Sequence, residues 1–373
     1  MRSTEIDRRR FLALLAACGA SPAIARSLAE DKAGDLALYL AARKNAGRFE
    51  AVLFDERGRD KLIVPMPDRG HSFAIDSARR RAVVFGRQPG FFAVAFGLDG
   101  QLAPQALQPD DGHHFFGHGV YSLDGQLMVA TENDYEAGRG ALGLYDASTG
   151  GNYRRVGEFS TAGIGPHEVV LMPDGRTACV ANGGILTHPD YGKLQLNQDS
   201  MQPSLVYIDL KTGDLLEQVF LASELHRLSI RHLVVDAAGT VWFGCQYTGE
   251  QGDRPALVGR HRRGTQPDMF TGPEETLRGM KNYVGSLSID AAGAIVATSS
   301  PVGGNVVFWD AASGRCLGSA GIFDGCGLAG DSDGSFVVSS GQGALVHAGP
   351  DRLQQTIREP AAELAWDNHL RRV

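Results

Sequence analysis

The chain is 373 residues long, carries 48 glycines and has a formal net charge of −7 at pH 7. A length of this order suggests two domains unless a repeat unites them, and the glycine content without any long heptad pattern favours many short strands over a helical body. The acidic balance argues against nucleic acid or an anionic membrane surface as a partner.

The chain opens on Asp7-Arg8-Arg9-Arg10-Phe11-Leu12, an apolar run Ala13-Leu14-Leu15-Ala16-Ala17 and the small-x-small sequence Ala23-Ile24-Ala25. A charged segment, a short apolar segment and such a cleavage site predict a signal peptide over residues 1–25, and the paired arginines before Phe-Leu resemble the twin-arginine type. Gly19, Ser21 and Pro22 stop the apolar run well short of the roughly 20 residues that span a bilayer, so no transmembrane segment is expected in the mature chain. The periplasm is the expected location, with residues 26–373 forming a single domain. Leu15-Ala16-Ala17-Cys18 offers the alternative of lipoprotein processing, with Cys18 acylated. The resemblance to twin-arginine signals implies export of an already folded protein, often with a cofactor in place. The remaining cysteines, Cys179, Cys245, Cys316 and Cys326, show no disulfide framework in their spacing and are expected as free thiols.

Past the leader, residues 36–42, 49–54 and 61–65 read as strands, with a helix as the alternative over 36–43 because of its Ala and Leu content. A strand, an Asp/Gly turn and a second strand then recur at Asp76, at Asp124-Gly125, Asp174-Gly175, Asp236-Ala-Ala-Gly239 and Asp290-Ala-Ala-Gly293, and again from Asp331 to Gly334. Between these hairpins sits a second punctuation, an apolar residue before Asp-x-x-x-Gly or a variant, as in Phe54-Asp55-Glu-Arg-Gly58, Tyr145-Asp146, Ile208-Asp209 and Trp309-Asp310. Two alternating hairpins per unit define the four-stranded blade of a β-propeller, and the aspartates serve its turns. Six complete inner hairpins leave outer strands at the N-terminus and one inner strand at residues 365–373. Joined, they make a seventh blade and close the ring, which removes exposed sheet edges. The predicted fold is therefore an all-β, seven-bladed propeller closed by a C-terminal strand on the N-terminal blade. Residues 187–203 and 249–255 are expected as loops.

Aligning the innermost strands brings His71, His118, His167, His232 and His369 to matching positions, with Cys326 at a sixth; only the blade at Tyr283-Val284-Gly285 lacks such a residue. These positions lie at one rim of the central channel. The following loops and neighbours add Glu132, Asn133, Asp134, Glu168, Asn182, Arg231, Asp367 and Asn368 as candidate ligand-binding residues at the same mouth. Imidazole and thiolate donors suit copper, iron or zinc. The competing account is structural: histidines at these positions tie neighbouring blades together by hydrogen bonds to carbonyls and carboxylates, and a repeat copies such residues. No Gly-x-Ser-x-Gly elbow, Gly-Lys-Ser/Thr phosphate loop or Cys-x-x-Cys pair is present, so nucleophilic hydrolysis and nucleotide binding have no support.

At Gly117-His118-Gly119-Val120, Thr131-Glu132-Asn133-Asp134, Gly165-Pro166-His167-Glu168, Ala181-Asn182-Gly183-Gly184, Ser229-Ile230-Arg231-His232 and Trp366-Asp367-Asn368-His369, the chain resembles an exported family of undefined activity known as domain of unknown function 1513. The resemblance covers nearly all of residues 36–373 and implies a propeller of the quinoprotein-amine-dehydrogenase-like group. It also implies a neighbourhood of periplasmic iron-uptake proteins of the imelysin type as partners. The chain departs from the family's pattern at Arg69-Gly70-His71, where relatives carry a cysteine before the histidine. Three functions are consistent with these features. The first is a non-catalytic periplasmic binding or scaffold propeller, accessory to iron uptake. The second is a metal-dependent enzyme, similar in plan to the copper-binding propeller of nitrous oxide reductase, with the five histidines as ligands and Glu132 or Glu168 as acid/base. The third is a lactonase-like hydrolase with calcium held by Glu132, Asn133 and Asn182.

Overall fold

A computed structural model describes residues 36–373 except 193, 333 and 351; the expected leader 1–25 and Cys18 lie outside the described residues. The described residues form seven four-stranded antiparallel sheets. Blade 1 is built from Leu364–Arg372, Leu38–Asn45, Arg48–Asp55 and Asp60–Met66, in that order outward from the channel. The innermost strands of blades 2 to 7 are Gly70–Asp76, His113–Tyr121, Pro166–Leu171, Leu228–Val235, Ser286–Ile289 and Gly325–Gly330.

The burial of the strands follows from this stacking. The two middle strands of a blade are covered on both faces by neighbouring blades, so Thr177–Asn182 and Ser204–Asp209 are buried throughout. The outermost strand meets water, and Leu215–Phe220 is accordingly half-exposed to exposed along its length. Apolar residues of adjacent blades meet in clusters between them, as where Tyr39, Phe54 and Trp366 of blade 1 pack with Cys326 and Leu345 of blade 7.

The recurrent aspartates are turn residues. Asp55 Oδ1 accepts the backbone N–H groups of Arg57 and Arg59 at 3.0 and 2.9 Å, and Asp236 Oδ1 accepts those of Ala238 and Thr240 at 2.9 and 2.8 Å. Ring closure is as the sequence suggested: Leu364–Arg372 pairs antiparallel with Leu38–Asn45, from Tyr39 opposite Arg372 to Asn45 opposite Leu364. Residues 38–45 are strand, which disposes of the helical alternative there. A short helix, Glu274–Met280, was not anticipated; it buries only Leu277 and Met280 and ends in a left-handed Lys281. Seven residues are too few for helical periodicity to stand out from a loop. No helix among the described residues is long and apolar enough to cross a membrane.

One irregularity recurs and positions the site. The ladder between the innermost strand and its neighbour slips between Gly70 and Phe73, between Phe115 and Gly119, between Pro166 and Glu168 and between Ile230 and His232; the slip in blade 1 lies between Trp366 and Leu370. His71, His118, His167 and His369 fall inside these slips and His232 directly follows one. A β-bulge leaves residues unpaired and re-aims their side chains; these five slips each hold or adjoin a histidine, while the matching slip of blade 7, between Gly325 and Leu328, holds Cys326.

Candidate metal centre

Five imidazoles converge where the bulges of blades 1 to 5 meet the channel. Ring centroids of His71 lie 5.0 Å from His118 and 4.5 Å from His369; those of His167 lie 4.9 Å from His118 and 4.8 Å from His232; His232 and His369 are 4.9 Å apart. All five are buried. Gly117, at φ +104°, allows this proximity: a Cβ there would stand 2.6 Å from Cδ2 of His71.

The nitrogens are almost without partners. Nε2 of His118, Nδ1 of His167, Nε2 of His232 and both ring nitrogens of His369 are buried without a hydrogen bond, and Nδ1 of His232 has only the 3.4 Å approach of Glu168. Buried polar atoms are rarely left so, and an ion or water is the usual explanation. The blades are also tied by hydroxyls: Thr131 Oγ1 donates to the carbonyls of His118 and His167 at 3.2 Å each, Ser229 Oγ to that of Gly183 at 2.8 Å and Ser299 Oγ to that of Cys326 at 2.6 Å. These hydroxyl bonds add to the contacts that His71, His118 and His232 make to carboxylates of neighbouring blades.

Ligand atoms of His71, His118 and His369 lie within 4.8 Å of one another, and so do those of His118, His167 and His232. A tetrahedral ion about 2.1 Å from each nitrogen would hold them about 3.4 Å apart, within reach of small side-chain adjustments. His118 belongs to both triads.

Two carboxylates stand behind the imidazoles. Asp367 Oδ1 is 3.2 Å from Nδ1 of His71, while Glu168 offers Oε1 to Nδ1 of His118 at 3.5 Å and Oε2 to Nδ1 of His232 at 3.4 Å. A carboxylate behind Nδ1 fixes the tautomer that leaves Nε2 free for a metal. Burial opposes ionisation of both acids, but Arg371 together with His118 and His232 holds Glu168 well below the usual carboxylate range. His71, Arg87 and Arg69 do the same for Asp367. Burial, with mutual repulsion in support, lowers the pKa of all five histidines, that of His71 to about 4 despite Asp367 and those of His167 and His369 well below the ordinary value. They are neutral at pH 7, the form that binds metal.

The cluster is open on one side. A cavity of about 240 Å³ has His71, His167 and His232 in its wall, with Arg87, Gln88, Arg231, Gln246, Tyr283 and Asn368 around them. The loop after Asn182, part of it residues 187–203, covers it through Gly183, Ile185, Thr187, Gly192 and Gln195.

Not every candidate joins this site. Glu132 turns into the blade, where Arg155 Nη2 donates to it at 2.8 Å and Tyr145 Oη at 2.5 Å. Asp134 binds the N–H of Ala137 and the side chain of Arg139. Asn182 donates to the carbonyl of Thr161 at 2.8 Å and Asn133 to that of Thr187 at 3.3 Å. The free carboxylate that a calcium site at Glu132, Asn133 and Asn182 requires is thus already neutralised by Arg155. A further trio, His113, Glu132 and Glu158, is close enough for a metal but is filled by Arg155 and Arg139. Cys326 is not a ligand: burial pushes its thiol up to about 12, and its Sγ donates to carbonyls of Asp367 and Ser339. Arg371, Arg87 and Arg69 were overlooked in sequence because nothing but proximity links them to the carboxylates they hold.

A seven-bladed propeller with a histidine-lined channel mouth is the class these features define. The chain belongs to the family described as protein of unknown function DUF1513, whose model matches residues 64–373. No curated protein sequence matches it. Among solved structures it is similar to a periplasmic gluconolactonase of Pseudomonas aeruginosa, at TM-score 0.62 and 14% identity, covering 91% of this chain and 99% of that one. It is also similar to hydrazine synthase of Kuenenia stuttgartiensis, at TM-score 0.59 and 12% identity over 84% and 92% of the two chains. A chain of a nidogen/laminin complex matches at TM-score 0.50 and 13% identity over 76% and 93%. At such identities the likeness is one of fold.

Proposed function

We propose that the protein is a metal-dependent enzyme whose centre is held by His71, His118, His167, His232 and His369 at the channel mouth. The observation that carries this reading is the set of buried, unpartnered ring nitrogens on four of the five converging, neutral histidines, His118, His167, His232 and His369. An all-imidazole donor set suits copper, zinc or iron, and copper is favoured among divalent ions at nitrogen sites. Bound there, the ion would act as a Lewis acid or redox centre. The chain's own part is to orient His71 through Asp367 and His118 and His232 through Glu168, to keep carboxylate charge out of direct contact with the ion, and to exclude bulk water from all but the cavity side.

Catalysis is favoured over a purely structural ion because structural sites are closed whereas this cluster borders a cavity. Export of a folded, metal-loaded protein by the twin-arginine route to the periplasm fits the same reading. If the protein is instead accessory to iron uptake, the same centre would bind iron and pass it to an imelysin-type partner.

The test is metal analysis of full-length protein purified from its own compartment, with titration of the metal-free form by copper, zinc and iron. At least one ion per chain is expected, lost in the His118→Ala/His167→Ala double variant while circular dichroism stays that of a β-sheet protein. Metal-free protein that takes up none of the three ions and melts unchanged in their presence overturns the proposal.

A further inference from the structure

The charged residues that line the cavity are one-sided. Among the described residues its wall contains Arg87 and Arg231 but no aspartate, glutamate or lysine, in a chain whose overall charge is −7. Asp367 is near but is spoken for: its oxygens are engaged by Arg69, His71 and, at 3.4 Å, Arg87.

Arg231 is the residue that needs explaining. It occupies the bulge immediately before His232, between Ile230 and His232, so the backbone irregularity that presents His232 also turns Arg231 toward the mouth. Its side chain is largely enclosed, its Nε is buried without a hydrogen-bond partner, and no carboxylate among the described residues pairs with it. Burial pulls its pKa down, with only Tyr283 and Cys245 acting in the other direction. An enclosed guanidinium without a counter-charge is costly, and a fork of donors facing a cavity matches a carboxylate. The surrounding groups, Gln88, Gln246, Tyr283 and Asn368, are neutral hydrogen-bonding side chains suited to hydroxyl or carbonyl substituents, whereas a bare inorganic ion would leave most of them idle.

We propose that the cavity binds a small organic carboxylate, its anionic end held by Arg231 with Arg87 beside it and its polar substituents directed toward His71, His167 and His232. This deepens the reading of the mouth as an enzyme site by naming the substrate class, but the cradle itself is made of groups that need no metal. Its failure is therefore distinguishable from that of the metal centre.

The experiment is calorimetric titration of full-length protein, metal-free and copper-loaded, with malate as probe and inorganic phosphate as the comparison. Malate is expected to bind both forms, more tightly when metal is present. Arg231→Met should weaken it by about 10- to 100-fold, the range for loss of a charge-assisted hydrogen bond, without changing copper stoichiometry. Arg231→Lys, which keeps charge without the fork, should recover part of the affinity and guards against misfolding of the first variant. Absence of malate binding in both forms, malate binding unaffected by either variant, or binding of phosphate alone would each overturn the proposal. Copper bound normally in any of those cases would leave the metal centre standing.

Discussion

The metal-free protein should lose stability in mild acid, and the magnitude follows from the histidine cluster. A histidine whose pKa is lower in the folded than in the unfolded state contributes stability that is whole above the unfolded value and is lost as pH falls from there toward the folded value. For His71 the window runs from 6.5 to about 4. At pH 5 its share of the loss is about 2 kcal/mol by linkage, against the roughly 5–15 kcal/mol of net stability usual for a folded domain. His118, His167, His232 and His369 are displaced in the same direction, with burial the leading cause in each, and deepen the loss. Glu168 and Asp367 do not offset it. Both are held low and stay ionised in the folded protein at pH 5, and their contribution is lost only in stronger acid. The measurement is thermal melting by circular dichroism from pH 7.5 to 4.5 in the presence of a chelator. A fall of at least ~10 °C by pH 5 is expected from several groups acting together. An ion on the same nitrogens competes with protons, so copper-loaded protein should resist acid further. Metal-free protein with the same melting temperature at pH 7.5 and 5.0 would refute the view that these imidazoles are buried and neutral.

Two further outcomes separate the site from its surroundings. Removing residues 364–373 deletes the innermost strand of blade 1, with buried Trp366 and Leu370 worth about 1.5–3 kcal/mol each. It also exposes the Leu38–Asn45 edge and takes away His369 and Arg371, so no soluble folded protein is expected; a truncated chain that melts like the full one would show the closure to be dispensable. Glu132→Gln should leave copper stoichiometry intact but lower the urea midpoint, because Arg155 loses the buried half of its ion-pair network at a cost of about 3 kcal/mol or more; lost copper with an unchanged midpoint would return Glu132 to the centre.

The blade count and the closure were legible because each rests on a local pattern. An aspartate and a glycine at fixed offsets mark a turn wherever they occur, and an unpaired strand at each end of a repeat has one place to go. The alignment of the five histidines was legible for the same reason, since each follows the start of an innermost strand. What the alignment could not convey is the direction of the side chains. Thr131 and Glu132 are adjacent, so they point to opposite faces of their strand. Thr131 reaches the carbonyls of His118 and His167, and Glu132 therefore points to Tyr145 and Arg155. Strand parity would have removed Glu132 from the candidates had the role of Thr131 been known.

The distribution of the histidines around the ring favours function over mere repetition. They come from five consecutive blades, while blade 6 offers Val284-Gly285 and blade 7 a thiol turned to carbonyls. Were imidazoles the sole ties of the inner ring, blades 6 and 7 would lack ties. Instead Ser299 of blade 6 bonds the carbonyl of Cys326 of blade 7 at 2.6 Å, and Cys326 Sγ reaches the carbonyl of Asp367 of blade 1 at 3.2 Å. Hydroxyls thus do the same work with and without histidines nearby. His118, His167, His232 and His369 keep buried ring nitrogens without a hydrogen bond, gathered on one arc and backed by carboxylates anchored on arginine; a bound ion is the simplest reason to bury them.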